Sequence, residues 1–251
     1  MEPPVLFKRC LAEGIGTALL VLIGAGTATF NGVIIASNNA ATTLADIGVI
    51  SVAFAIVVMA MIFTIGKISG CHINPAVTIG LAVTGHFAWK EVPAYLIAQC
   101  AGGIIGATAI VAVLGMDGVH LGGLGATSLG SSTGYIQGIV VEAIAAFVLM
   151  FVIMGIAVDS DAPGNWAGPV IGLTVGGLIM LTAGATGASF NPARTFGPYV
   201  INSLAGGTIN WAHFPVYVIG PIIGAIAGAV AYKGLTTKQQ VVGSDPQSVK
   251  V

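Results

Sequence analysis

Charge is scarce in this sequence: Lys and Arg total 8 and Asp and Glu total 9 among 251 residues, leaving a formal net charge of −1. A soluble domain of this length needs far more charged surface, so a soluble globular protein is excluded. No basic block exists, which removes the electrostatic footprint of a nucleic-acid-binding protein. Cysteine is confined to Cys10, Cys71 and Cys100, an odd number without C-x-x-C spacing. Neither a disulfide framework nor a zinc site is expected, and all three read as small buried hydrophobes. The chain also lacks G-x-S-x-G, H-E-x-x-H and any grouping of metal ligands on an apolar stretch. It therefore carries no enzyme signature and calls for no cofactor or metal.

What is present is apolar: 56% of the residues are hydrophobic, and 37 are glycine. A helix needs about 20 apolar residues to cross a hydrocarbon core of roughly 30 Å. Six stretches meet that length, near 11–33, 47–66, 92–114, 136–157, 167–184 and 214–233. The expected fold class is an all-α membrane protein. The first stretch follows Lys8 and Arg9 as a signal peptide would, but it is too long and carries Glu13, so it reads as a retained span. Basic residues gather in cytoplasmic loops. With both termini inside, Lys8, Arg9, Lys67, Lys90, Lys233, Lys238 and Lys250 fall on that side, and Arg194 is the sole basic exception. The expectation is a multi-pass protein of the cell (plasma) membrane with cytoplasmic termini.

Two further apolar runs, 75–84 and 192–204, are too short to span. At about 1.5 Å per residue, ten helical residues cover about half the hydrocarbon. They read as half-helices entered from opposite faces. The sequences around them repeat: S-G-C-H-I-N-P-A-V-T at 69–78 matches T-G-A-S-F-N-P-A-R-T at 186–195, and G-G-I-I-G-A at 102–107 matches G-P-I-I-G-A at 220–225. The separations are 117 and 118 residues, and Glu13 answers Glu142 at an offset of 129. Three spans per repeat is an odd number, so the second copy is upside down relative to the first, as in many transport proteins. The chain divides into a first inverted repeat over 1–120, a second over 121–235, and a polar, flexible tail over 236–251.

Asn is a favoured N-cap and Pro a favoured first helical residue, so Asn74–Pro75 and Asn191–Pro192 start helices. Ala76 and Ala193 complete the repeated triplet. If the half-helices enter from opposite faces, their positive amino ends meet near the bilayer midplane. Two Asn amides there can donate to one water oxygen while the helix ends repel cations and hydrated protons. Water so bonded cannot readily accept from its neighbours, which interrupts a proton wire. A single Asn-Pro pair reads equally well as a mere cap; two at inverted positions within apolar sequence do not.

Arg194 is costly at membrane depth and is expected to face a pore or polar cavity with backbone carbonyls as partners, the alternative being an interfacial arginine that snorkels to water. Glu13 and Glu142 have two readings: ion or proton coupling in a secondary transporter, or structural acceptors that hold the loop backbones. Their symmetry favours the second. Gly102, Gly103, Gly106, Gly220, Gly224 and Gly228 include G-x-x-x-G spacings that permit close helix approach.

Taken together, the paired N-P-A boxes, the acid on spans one and four, and six spans with two halves resemble the aquaporin, or major intrinsic protein, family. The resemblance covers roughly residues 5–235 and is nearest to archaeal members. It implies a homotetramer with one pore per subunit, Asn74 and Asn191 at the central constriction, and water with small neutral solutes as the permeants. It also implies an outer filter of four residues, carried by spacing onto Phe54, Ile179, Ala188 and Arg194. Water-selective members usually have histidine where Ile179 stands, so a wider and less polar aperture is expected. Glycerol-conducting members usually have aspartate after the motif arginine and a tryptophan in the filter. Thr195 and Phe54 stand there instead, which weighs against a dedicated glycerol facilitator. Gly70, Cys71 and His72 would line the inner half of the pore, and the carbonyls near Gly187 and Ala188 the outer half. His72 is equally suited to bracing its loop, and Phe54 alone would read as helix packing. The implied function is passive water conduction; a facilitator for glycerol or a dissolved gas, and an ion-coupled transporter, are the alternatives.

Overall fold

Apolar runs bounded by turn residues become helices throughout the computed structural model, which describes residues 4–236. Beyond Thr236 the expected tail lies outside the described residues. In chain order the helices are α1 (Leu6–Ser37), α2 (Leu44–Ser69), α3 (Pro75–Val83), α4 (Val92–His120), α5 (Tyr135–Val158), α6 (Ala167–Thr186), α7 (Pro192–Leu204) and α8 (Val216–Thr236). No strand occurs among the described residues. Six of these helices, all but α3 and α7, are long and apolar enough to cross a membrane.

Most spans run past their expected ends, because hydropathy fades before the helix does. Helix α2 begins at Leu44 because Thr43 and Asp46 form a capping box: the Thr43 N–H donates to Asp46 Oδ2 at 2.7 Å, and the Asp46 N–H to Thr43 Oγ1 at 3.4 Å. Such reciprocal bonds satisfy donors that a bare helix start leaves open. Helix α4 keeps the expected end in another form. Its regular geometry breaks at Gly115 (φ 66°, ψ −160°), and a short helical turn then continues to His120. Two helices carry π-turns, α1 at Val21–Ala25 and α5 at Met154–Val158.

Small residues let the helices approach closely. A side chain on Gly102 or Gly106 would strike the backbone of Gly14 or Ala18, so α4 lies directly on α1. Likewise Gly220, Gly224 and Gly228 of α8 press against Ile139, Ala143 and Phe147 of α5. The surface is apolar, with Ile97, Val113, Ile136 and Leu181 at 70–75% exposure. Buried polar residues gather inside, as a lipid-facing protein requires. The two half-length helices begin side by side but end apart. Lys233 Nζ, near the end of α8, donates to Thr84 O just after α3 at 3.0 Å, whereas Trp211 Nε1, ahead of α8, donates to Ser203 Oγ in α7 at 2.9 Å.

Candidate functional site

Each half-length helix follows a five-residue loop, Gly70–Asn74 or Gly187–Asn191, and the two loops share one unusual backbone. Gly70, Cys71 and Ile73 have φ of 90°, 53° and 42°; Gly187, Ala188 and Phe190 have 73°, 53° and 36°. Left-handed geometry is open to glycine but costs roughly 1–2 kcal/mol at each of the other residues. Something must therefore hold the loops, and a buried carboxylate does so in each case. Glu13 Oε1 accepts from the His72 N–H at 2.9 Å and from Ser69 Oγ at 2.6 Å, while Oε2 accepts from the Ile73 N–H at 2.6 Å and from Gln99 Nε2 at 2.9 Å. Glu142 Oε1 accepts from the Ser189 N–H at 3.0 Å and from Thr186 Oγ1 at 2.7 Å, and its Oε2 accepts from the Phe190 N–H. Both carboxylates are fully buried. Tyrosine hydroxyls fasten the preceding helix ends, Tyr95 to Ser69 O and Tyr217 to Thr186 O, each at 2.8 Å.

The asparagines then lock the loops together. Asn74 Oδ1 accepts from the Ala76 N–H at 2.9 Å, and Asn191 Oδ1 accepts from those of Ala193 and Arg194 at 3.0 and 3.2 Å, with Pro75 and Pro192 opening their helices. Across the junction Asn74 Nδ2 donates to Phe190 O and Asn191 Nδ2 to Ile73 O, both at 2.9 Å. An amide nitrogen carries two hydrogens. One of each is used in the crossing, and the other remains for whatever occupies the space in front of it. Two helix amino ends with their partial positive charge are thus bound side by side.

That space is a cavity of about 100 Å³. That is well above the roughly 10–15 Å³ a cavity needs to hold a single water. Asn74 and Asn191 line it, as do Gly70, Cys71, His72, Phe54, Ile179, Ala188 and Arg194, so residues chosen from distant parts of the sequence come together around one cavity. Gly187 is not among the residues lining this cavity; a Cβ added to it would meet Thr127 and Ser128. Arg194 is 3% exposed; its Nη1 donates to Gly125 O at 2.7 Å, and its Cζ lies 5.3 Å from the Phe54 ring centre. Its Nε has no protein partner. The ring of His72 is held by Thr78 Oγ1 at 3.1 Å from Nδ1 and by the rings of Phe87 and Tyr95, at 4.9 and 5.1 Å.

Several residues that shape the site were not singled out in the sequence. Ser69 and Thr186 open the two repeated segments with a hydroxyl apiece, a signal that was on view. Gln99 bridges Glu13 and Thr78, and Gly125 supplies only a carbonyl, so nothing in its side chain could have marked it.

The arrangement is that of an all-helical, multi-pass membrane protein with a polar-edged cavity at the junction of two half-length helices. The Major intrinsic protein family matches residues 2–232, and the chain belongs to that family. It is 44% identical over 244 residues to aquaporin AqpM of Methanothermobacter thermautotrophicus, covering 93% of this chain and 99% of that protein. To the probable aquaporin AqpM of Archaeoglobus fulgidus it is 46% identical over 241 residues, covering 92% and 97%. In fold it is similar to the X-ray structure of the aquaglyceroporin from Plasmodium falciparum, with a TM-score of 0.76 at 23% identity, covering 90% of this chain and 95% of the other.

Proposed function

We propose that this chain is a passive transmembrane channel for water that excludes ions and protons and admits some small uncharged solutes. The observation that carries the reading is the reciprocal pair of Asn bonds, which leaves two amide donors and two helix amino ends facing one narrow cavity. A water held by those donors faces a positive field that opposes cations. Naming the AqpM relatives as aquaporins supports the same conclusion.

Several finer features belong to the proposal. Residues 1–120 and 121–235 form two related halves of opposite orientation, a reading supported by the matching left-handed loops and carboxylate braces. Glu13 and Glu142 act as structural acceptors; each is spent on its loop and neither is on the cavity wall, which speaks against ion coupling. Phe54, Ile179, Ala188 and Arg194 form the filter, with three apolar members and one cation. Such a filter suits water and a small neutral solute of modest polarity. The protein sits in the cell membrane with both termini cytoplasmic and assembles as a homotetramer.

The test is stopped-flow light scattering on proteoliposomes, with water and glycerol flux measured on the same vesicles. Water permeability well above that of empty liposomes, unaffected by collapsing proton or sodium gradients, is expected. Permeability equal to that of empty liposomes overturns the reading. Ile179→His should lower glycerol flux while sparing water, and an unchanged ratio would mean that the filter is elsewhere.

A further inference from the structure

The π-turn of α1, Val21–Ala25, lies outside the four filter positions yet touches two of their supports. Gly24 is buried directly behind the Phe54 ring: an ideal Cβ at this position would fall 2.5 Å from the ring's Cδ1 and 2.6 Å from its Cζ. The next residue, Ala25, meets the other support. A side chain on Gly125 would strike Ala25 O, and Gly125 O is the acceptor of the Arg194 guanidinium. The π-turn thus backs the ring through one residue and the arginine's acceptor through the next. A π-turn admits one extra residue into the helical ladder, and such turns recur at functional sites. Here it brings the backbone of residue 24 close enough that only glycine leaves the ring its place.

We propose that Gly24 is a specificity-determining position: by having no side chain it seats Phe54 back against α1 and so sets the aperture between that ring and Arg194. This rests on the channel reading above. Phe54 is 4% exposed and lines the cavity, whereas Gly24 does not, so a ring displaced from Gly24 moves into the cavity. Added bulk at residue 24 therefore narrows the opening without contributing an atom to its wall. A larger permeant loses more than water does, because close fit discriminates by the last methyl group of space.

The experiment compares wild type, Gly24→Ala, Phe54→Leu and the double variant in proteoliposomes, with water and glycerol fluxes measured on the same vesicles. Wild-type water flux above that of empty liposomes secures the underlying reading; its absence would be a failure of that reading and not of this one. Given that flux, Gly24→Ala should lower the glycerol-to-water permeability ratio about tenfold, the scale on which one methyl group discriminates at a close-fitting site. The double variant should match Phe54→Leu, because with the ring gone the added methyl meets nothing that faces the pore. An unchanged or raised ratio in Gly24→Ala overturns the proposal, as does a double variant that differs from Phe54→Leu by the factor that separates Gly24→Ala from wild type. Should Gly24→Ala alone not fold, the double variant decides. A folded, conducting double variant supports the ring as the partner of residue 24, and an unfolded one refutes it.

Discussion

The loop ahead of α3 and the loop ahead of α7 are built alike and furnished differently. Both place left-handed residues four, three and one positions before an asparagine, both are braced by a buried glutamate, and each asparagine crosses to the other loop. Beyond that frame they diverge. The first has His72, Val77 and Gln99, all uncharged; the second has Ser189 and Arg194 at the positions matching His72 and Val77, and Gly125 supplies the arginine's acceptor. What the halves share is what holds backbone carbonyls and amide donors in place. Of what they do not share, His72, Val77, Ser189 and Arg194 line the cavity.

The largest expected effect tests the shared frame. Glu13→Leu and Glu142→Leu each strand two buried backbone N–H groups of a left-handed loop. Unsatisfied donors cost about 1–3 kcal/mol apiece, so each substitution should cost roughly 2–6 kcal/mol, a large part of an ordinary protein's stability. Thermal unfolding of the purified variants in detergent should show both losses. Tolerance of one and collapse of the other would break the equivalence of the two braces.

A smaller effect on folding and a larger one on transport is expected from Arg194→Val, which makes the second motif read like the first at that position. Removing a buried guanidinium from beside Phe54 takes away both bulk and charge. Glycerol permeability should rise about tenfold, the scale on which lost close contacts relax discrimination. Proton leak, followed with a pH-sensitive dye trapped in the vesicles, should appear as well, while water flux is retained. If no proton leak appears and glycerol permeability is unchanged, then discrimination resides in the shared frame and not in what distinguishes the second loop.

The same division explains what could be read from the sequence. Span number, the half-length helices and their asparagine starts were legible because each depends on a local pattern: a long apolar run, a short one, an Asn-Pro pair. The carboxylates at residues 13 and 142 were legible because charge stands out in an apolar chain. Gly125 and Gly24 were not, because one acts through its carbonyl and the other through the absence of a side chain, and both effects exist only once α1, α2 and α7 have packed.

The smallest effect sharpens the comparison at a matched pair of hydroxyls. Thr78 Oγ1 accepts from Gln99 Nε2 at 3.0 Å, pairs with His72 Nδ1 at 3.1 Å and donates to Asn74 O at 3.1 Å; Thr195 Oγ1 pairs with Ser189 Oγ at 2.6 Å and Thr127 Oγ1 at 2.9 Å. Valine keeps the shape and removes the hydroxyl. In Thr195→Val the Ser189 hydroxyl still has Asn191 O at 2.9 Å, but the buried Thr127 hydroxyl loses Thr195 as its partner, and the cost should be that of a stranded group, about 1–3 kcal/mol. In Thr78→Val the His72 Nδ1 loses its only hydrogen-bond partner, and the flanking rings of Phe87 and Tyr95 offer none in its place. A stranded buried group costs about 1–3 kcal/mol, which at this chain length lowers Tm by roughly 2–4 °C per kcal/mol. The two variants should therefore melt at similar temperatures, both below wild type. Thr78→Val alone should conduct water more slowly, because an imidazole released from its partner turns toward the cavity it already borders. Equal flux in the two variants would mean that His72 is held by its aromatic neighbours alone, and the difference between the loops would then reduce to Arg194.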